Sequence, residues 1–156
     1  MISPRRDPAT LPGRPCSVAS ALELVGDRWA LLAIREVMFG NHRFSRIVRN
    51  TGAPRDRIAA RLKGLVEAGV LERRPDEEGY HLTAAGRDLG PVLRALLEWG
   101  DKWAVTSPPM KVLHHDHPLR ATTVCGTCGE RVHSRDVTRE VTTPHWSLAG
   151  PDPAQE

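Results

Sequence analysis

Residues 44–82 read F-S-R-I-V-R-N-T-G-A-P-R-D-R-I-A-A-R-L-K-G-L-V-E-A-G-V-L-E-R-R-P-D-E-E-G-Y-H-L, and the fold turns on this stretch. Phe44, Ile47 and Val48 share one face of a short helix, which T-G-A-P at 51–54 breaks. Pro54 suits the first position of a second helix. There Ile58, Leu62 and Leu65 recur at helical spacing, and Gly69 ends the run. Residues 70–74 have strand character, P-D-E-E-G at 75–79 reads as a turn, and Y-H-L-T returns as a second strand.

Upstream, S-V-A-S-A-L-E-L-V-G at 17–26 places Val18, Ala21, Leu22 and Val25 on one helical face. Gly26 stops it. Asp27 caps the next helix, R-W-A-L-L-A-I-R-E-V-M-F-G at 28–40, in which Trp29, Leu32, Ala33, Glu36 and Val37 keep the 3.6 period and Gly40 takes the position after the cap. Downstream, Thr83 is a cap for one long helix over about 84–105. Its apolar stripe runs through Leu89, Leu93, Leu96, Gly100 and Trp103, widened by Val92 and Trp99. Helices followed by a break, a further helix and a hairpin predict a winged helix-turn-helix, mainly α with a small β wing. The expected organisation is a flexible arm over 1–14, the winged domain with its terminal helix over 15–107, a small β-rich Cys/His appendix over 108–143 and a flexible tail over 144–156.

Composition narrows the classes. No apolar run approaches the ~20 residues of a membrane span. Asp7, Pro8 and Pro12 follow Arg5 and Arg6 where a secretory leader needs an apolar core. An odd count of three Cys does not read as a disulfide scaffold, so a cytoplasmic protein is expected, drawn to the nucleoid through DNA. Catalytic signatures such as G-x-S-x-G, H-E-x-x-H or a P-loop are missing from the sequence. His42 and His81 stand without an evident partner in it, so an enzyme is not expected.

Net charge is only +3, but between Gly40 and Lys63 seven cations face one anion, Asp56. That local excess suits a polyanion. A helix fits the major groove of B-DNA, its N-terminal residues meeting base edges while the preceding helix crosses the backbone. The predicted DNA-binding residues are therefore Ser45, Arg46, Arg49, Pro54, Arg55, Arg57 and Arg61, with Arg73 and Arg74 at the base of the wing. Asp76, Glu77 and Glu78 make the wing tip acidic, which argues against its insertion between phosphates. Leu89, Val92, Leu93, Leu96, Trp99 and Trp103 are more apolar surface than one helix of a small domain needs, and predict a dimer seam. A protein–protein scaffold with a zinc-knuckle docking surface is the alternative reading.

The matching blocks C-S-V-A-S-A-L-E-L-V-G-D-R-W-A-L-L-A-I-R-E-V-M-F-G, R-F-S-R-I, R-D-R-I-A-A-R-L-K-G-L-V-E-A-G-V-L-E-R-R, L-T-A-A-G-R-D-L and L-L-E-W-G-D-K-W span about residues 15–105. In this the chain resembles the HxlR-type transcriptional regulators, relatives of the MarR group. The resemblance implies a homodimeric repressor or other regulator whose two recognition helices enter successive major grooves of a near-palindromic operator. It also points to Cys16, at the start of the first helix, as a redox candidate, since some members carry a sensing Cys there; the plainer reading is a partly buried small residue. The acidic wing and the appendix depart from the family pattern. A small-molecule effector, held in an apolar pocket between the long helix and the winged domain, is a further expected partner.

In the appendix, Cys125-Gly-Thr-Cys128-Gly has the spacing of a zinc knuckle. A hairpin returning from His117 would bring His114 and His117, with His115 as alternate, opposite the two thiols, and His133 is a spare donor. One structural zinc per chain is the expected occupant. A redox dithiol and a plain reduced hairpin are the alternatives.

Overall fold

The computed structural model describes residues 7–152. The outer parts of the expected arm (1–6) and tail (153–156) lie outside the described residues. The chain divides into two compact units, one ending at Ala104 and one beginning at Val105.

The first unit is ordered α1 (Ser17–Val25), α2 (Arg28–Met38), α3 (Phe44–Thr51), α4 (Arg55–Glu67), β1 (Leu71–Arg74), β2 (Glu77–Leu82), α5 (Ala84–Arg87) and α6 (Gly90–Trp103). Asp27 caps α2 as predicted, its Oδ1 accepting from the amides of Trp29 (3.0 Å) and Ala30 (3.2 Å). Gly40 follows the cap at φ +83°. Helix α2 is the central post, packing against α3, α4 and α6. Its Ile34 joins Ile47, Ile58, Leu62, Leu65 and Leu71 as the fully buried centre of the core. Burying each such side chain stabilises the fold by about 1.5–3 kcal/mol.

One core position is charged. Glu36 is 3% exposed. Its Oε1 accepts from Arg35 Nη2 (2.7 Å), and its Oε2 accepts from Asn41 Nδ2 and Asn50 Nδ2 (2.8 Å each). A buried carboxylate is tolerable only with such partners. Here they tie α2, the following loop and α3 into one piece.

The wing is a two-stranded antiparallel ladder pairing Leu71 with Leu82, Glu72 with His81 and Arg74 with Glu77, with an irregularity between Glu72 and Arg74. The predicted five-residue turn shrinks, because Glu77 and Glu78 belong to β2 and only Pro75 and Asp76 lie between the strands. The loop before α3 docks on this ladder. Tyr80 N donates to His42 O (2.9 Å), and His42 Nδ1 lies 2.8 Å from Tyr80 O, so that nitrogen carries the proton. His42 and His81, expected to stand alone, are stacked with ring centroids 4.5 Å apart. Tertiary docking pairs them, which no local pattern records.

Two further expectations are corrected. The long helix over 84–105 is two helices, α5 and α6, because Pro91 in the first turn of α6 lacks an N–H and cannot continue α5. Pro54 is the N-cap of α4, not its first residue. Of the α1 face only Val25 is buried, while Val18 and Leu22 remain exposed.

The second unit is thin. It holds β3 (Leu113–His114) paired with β4 (His117–Pro118), bridges between Val124 and Arg131 and between Trp146 and Pro151, and a 3-10 turn at Ser134–Asp136. None of its described residues is fully buried. Among the described residues, no helix is long and apolar enough to cross a membrane.

Candidate nucleic-acid interface

Helix α3, the tight turn at Gly52 (φ +67°) and α4 form the helix-turn-helix. Thr51 locks the turn, its hydroxyl donating to Ile47 O (2.8 Å) and accepting from Ala53 N (3.4 Å). Ile58, Leu62 and Leu65 seat α4 on the core. The opposite faces are left to solvent, and Arg55, Arg57, Arg61 and Lys63 are all exposed there.

These cations are not equivalent. The Arg55 guanidinium lies over the Phe44 ring at 5.0 Å, which aims it toward α3. Arg61 Nε pairs with Asp27 Oδ1 at 2.9 Å, bracing α4 against the start of α2. Lys63 sits 3.8 Å from Glu67. Among the described residues, neither Arg57 nor Arg46 has an ion-pair partner, and both are exposed. Arg49 makes one hydrogen bond to Asn50 Oδ1 (3.3 Å), and Ser45 is exposed beside Arg46. Pro54 is exposed at the head of α4, where amide groups without helical partners favour an anion.

At the wing, Arg74 bridges Glu72 (2.8 Å) and Glu77 (2.9 Å), and Arg43 pairs with Glu78 at 2.8 Å. The Arg74 guanidinium holds the Glu77 carboxyl below the usual carboxylate range. Arg73 lies over the Tyr80 ring at 5.0 Å and makes no ion pair among the described residues. Of the two arginines predicted at the wing base, Arg73 is thus the one with a free charge.

A family model described as HxlR-like helix-turn-helix matches residues 24–108. The chain belongs to this family. An HTH-type transcriptional regulator of Mycobacterium tuberculosis (strain ATCC 25618 / H37Rv), itself uncharacterised, is 43% identical over 133 residues, covering 80% of this chain and 84% of its own. A Mycobacterium bovis counterpart matches to the same extent. Among solved structures, PA1607, named as a candidate transcription factor, superposes with a TM-score of 0.71 at 32% identity, covering 82% of this chain and 95% of its own. A second candidate transcription factor, PA1374 from Pseudomonas aeruginosa, gives 0.57 at 29% identity, with 86% and 97% covered. Like its HxlR-like relatives, the protein is a transcriptional regulator with a helix-turn-helix DNA-binding domain, and these names are of regulators and not of enzymes.

The predicted dimer stripe of this HxlR-like domain divides in two. Leu89 and Leu93 pack against the domain's own core. Val92, Leu96, Trp99 (61% exposed) and Trp103 (66%) face solvent. A cavity of about 310 Å³ lies between α1, the start of α2 and α4, where Asp27 and Arg61 meet. The groove opens on α4.

Cys16 is the N-cap of α1. Amide donors from Ala19 and Val18 hold its thiol below the ordinary value. In the second unit the expected zinc donors occupy two separate turns. His114, His115 and His117 crowd the β3–β4 turn, with ring centroids 4.2 to 6.4 Å apart. Cys125 and Cys128 form their own turn, and His133 begins the 3-10 turn. Among the described residues, no three His, Cys, Asp or Glu side chains gather into a group able to hold a metal ion.

Proposed function

We propose that the protein acts as a homodimer on a near-palindromic operator, α4 of each protomer entering a major groove. The observation that carries this reading is the division of α4: a buried apolar face, and a solvent face whose first turns hold Arg55 and the unpaired Arg57. Arg57 is the base reader in this scheme, with Arg55 beside it. Arg46, Arg49 and Arg73 meet phosphates, and the salt-bridged Arg74 is left out of the contact. Arg61 divides its guanidinium between Asp27 and the DNA backbone. Exposed Val92, Leu96, Trp99 and Trp103 on α6, with Val18 and Leu22 on α1, supply an apolar surface for the second protomer.

The test is selection of duplexes from a randomised pool, followed by fluorescence anisotropy with the selected sequence and a scrambled one. The expected result is strong preference for the selected duplex and an affinity that falls steeply with added salt, as counterion release requires. Equal affinity for both duplexes would transfer the molecule to the scaffold reading.

A further inference from the structure

The segment 123–132 is a tight hairpin built around two thiols. Val124 and Arg131 form an antiparallel bridge, Cys125 N donates to Glu130 O (2.8 Å), and Val132 N donates to Thr123 O (2.9 Å). Gly129 N donates back to Cys125 O (2.8 Å), and Gly129 adopts φ +77°, a conformation that favours glycine. The closed loop turns Cys128 back onto Cys125. The amides of Cys128 and Thr127, with the Cys128 thiol and the Thr127 hydroxyl, hold the Cys125 thiol below its ordinary value, at about 7. Cys125 is half-buried and Cys128 exposed, so solvent reaches the pair. No third donor joins them to make a metal site among the described residues.

We propose that the Cys125–Cys128 hairpin is a thiol–disulfide exchange centre whose substrate is a low-molecular-weight disulfide. The Cys125 sulfur, at the head of the loop, attacks one sulfur of the small disulfide RSSR. A Cys125–SR bond forms, the S–S bond of RSSR breaks, and one RS⁻ leaves. Cys128 then attacks the Cys125 sulfur; the internal disulfide forms and the second RS⁻ leaves. The two thiol protons end on the released thiolates, so one dithiol and one RSSR become one internal disulfide and two RSH, with two electrons passed from protein to RSSR. The amide donors fit this order of attack, since they favour negative charge on Cys125. The reverse reaction, with two RSH, restores the dithiol.

The experiment uses the full chain with Cys16→Ser, so that the two hairpin cysteines alone remain, and oxidised glutathione as probe. Intact-mass measurement is expected to show a species two hydrogens lighter, with peptide mapping joining Cys125 to Cys128. With Cys128→Ser added, one glutathione is expected to persist on Cys125. Equilibration in glutathione buffers gives a readout that needs no cysteine-pair variant. An internal disulfide follows the ratio of squared reduced to oxidised glutathione, a dependence that a single mixed disulfide does not show. The proposal is overturned if the thiols stay free in oxidised glutathione, or if Cys125→Ser traps glutathione on Cys128 as fast as Cys128→Ser traps it on Cys125. It is also overturned if native protein carries one zinc per chain and its thiols react only after chelation.

Discussion

Glu36 stands where the period of α2 asks for an apolar side chain, and its carboxylate is accepted in the core because Arg35, Asn41 and Asn50 meet it there. Glu36→Ala would remove the acceptor shared by the Asn41 and Asn50 side-chain amides and by Arg35. A loss of about 2–4 kcal/mol in denaturant unfolding is expected, with Glu36→Gln losing less; a change within ~0.5 kcal/mol would remove the clamp from the account. Arg57 and Arg61 are two turns of the same argument. Arg57→Ala is expected to weaken operator binding by about 1–3 kcal/mol with an unchanged melting temperature. Arg61→Ala is expected to weaken binding less while also lowering stability, by about 0–1 kcal/mol, through loss of the Asp27 pair. Anisotropy titration beside a thermal melt separates the two, and the reverse order of binding losses would exchange their roles. The sequence placed both arginines on α4, but Asp27 lies on another element, so only the folded chain distinguishes them.

At the scale of elements, the wing and the helix-turn-helix are joined by an approach that admits no side chain. A Cβ on Gly79 (φ +97°) would lie 2.2 Å from the carbonyl oxygen of His42. Gly79→Ala is expected to cost about 1–3 kcal/mol and to accelerate hydrogen exchange at the Tyr80 amide, which bonds that same oxygen. Unchanged exchange there would show that the loop and wing do not depend on this contact. The helices were legible because caps and apolar spacing are local: Asp27, Gly40, Gly52 and Gly69 all punctuate the chain near the predicted boundaries. The wing was less so. Glu77 and Glu78 look like turn residues by composition, yet ladder pairing with Arg74 and the Arg43 ion pair hold them in a strand.

For the whole molecule, the two faces of α6 predict the assembly. Leu89 and Leu93 anchor the helix to its own core, so replacing residues on the opposite face should spare the fold. Leu96→Glu with Trp99→Glu is expected to convert a dimer into a folded monomer in sedimentation experiments and to lower operator affinity by at least tenfold. A double variant that stays dimeric would place the seam elsewhere. Hydrophobic spacing revealed the stripe in α6, but spacing alone counts every apolar residue as equal. The split into core-facing and solvent-facing halves depends on where α2 lies.

The order of elements, their caps, the apolar seat of α4 and the local excess of positive charge follow from the chain read in one dimension, because each depends on neighbours within a few residues. Tertiary structure alone decided which arginines remain unpaired, why Glu36 is tolerated inside, how His42 meets His81, and that the histidine turn and the thiol turn stay apart. Each of these is a matter of distance through space between groups remote along the chain, and burial strengthens or removes their interactions in a way that no linear pattern records.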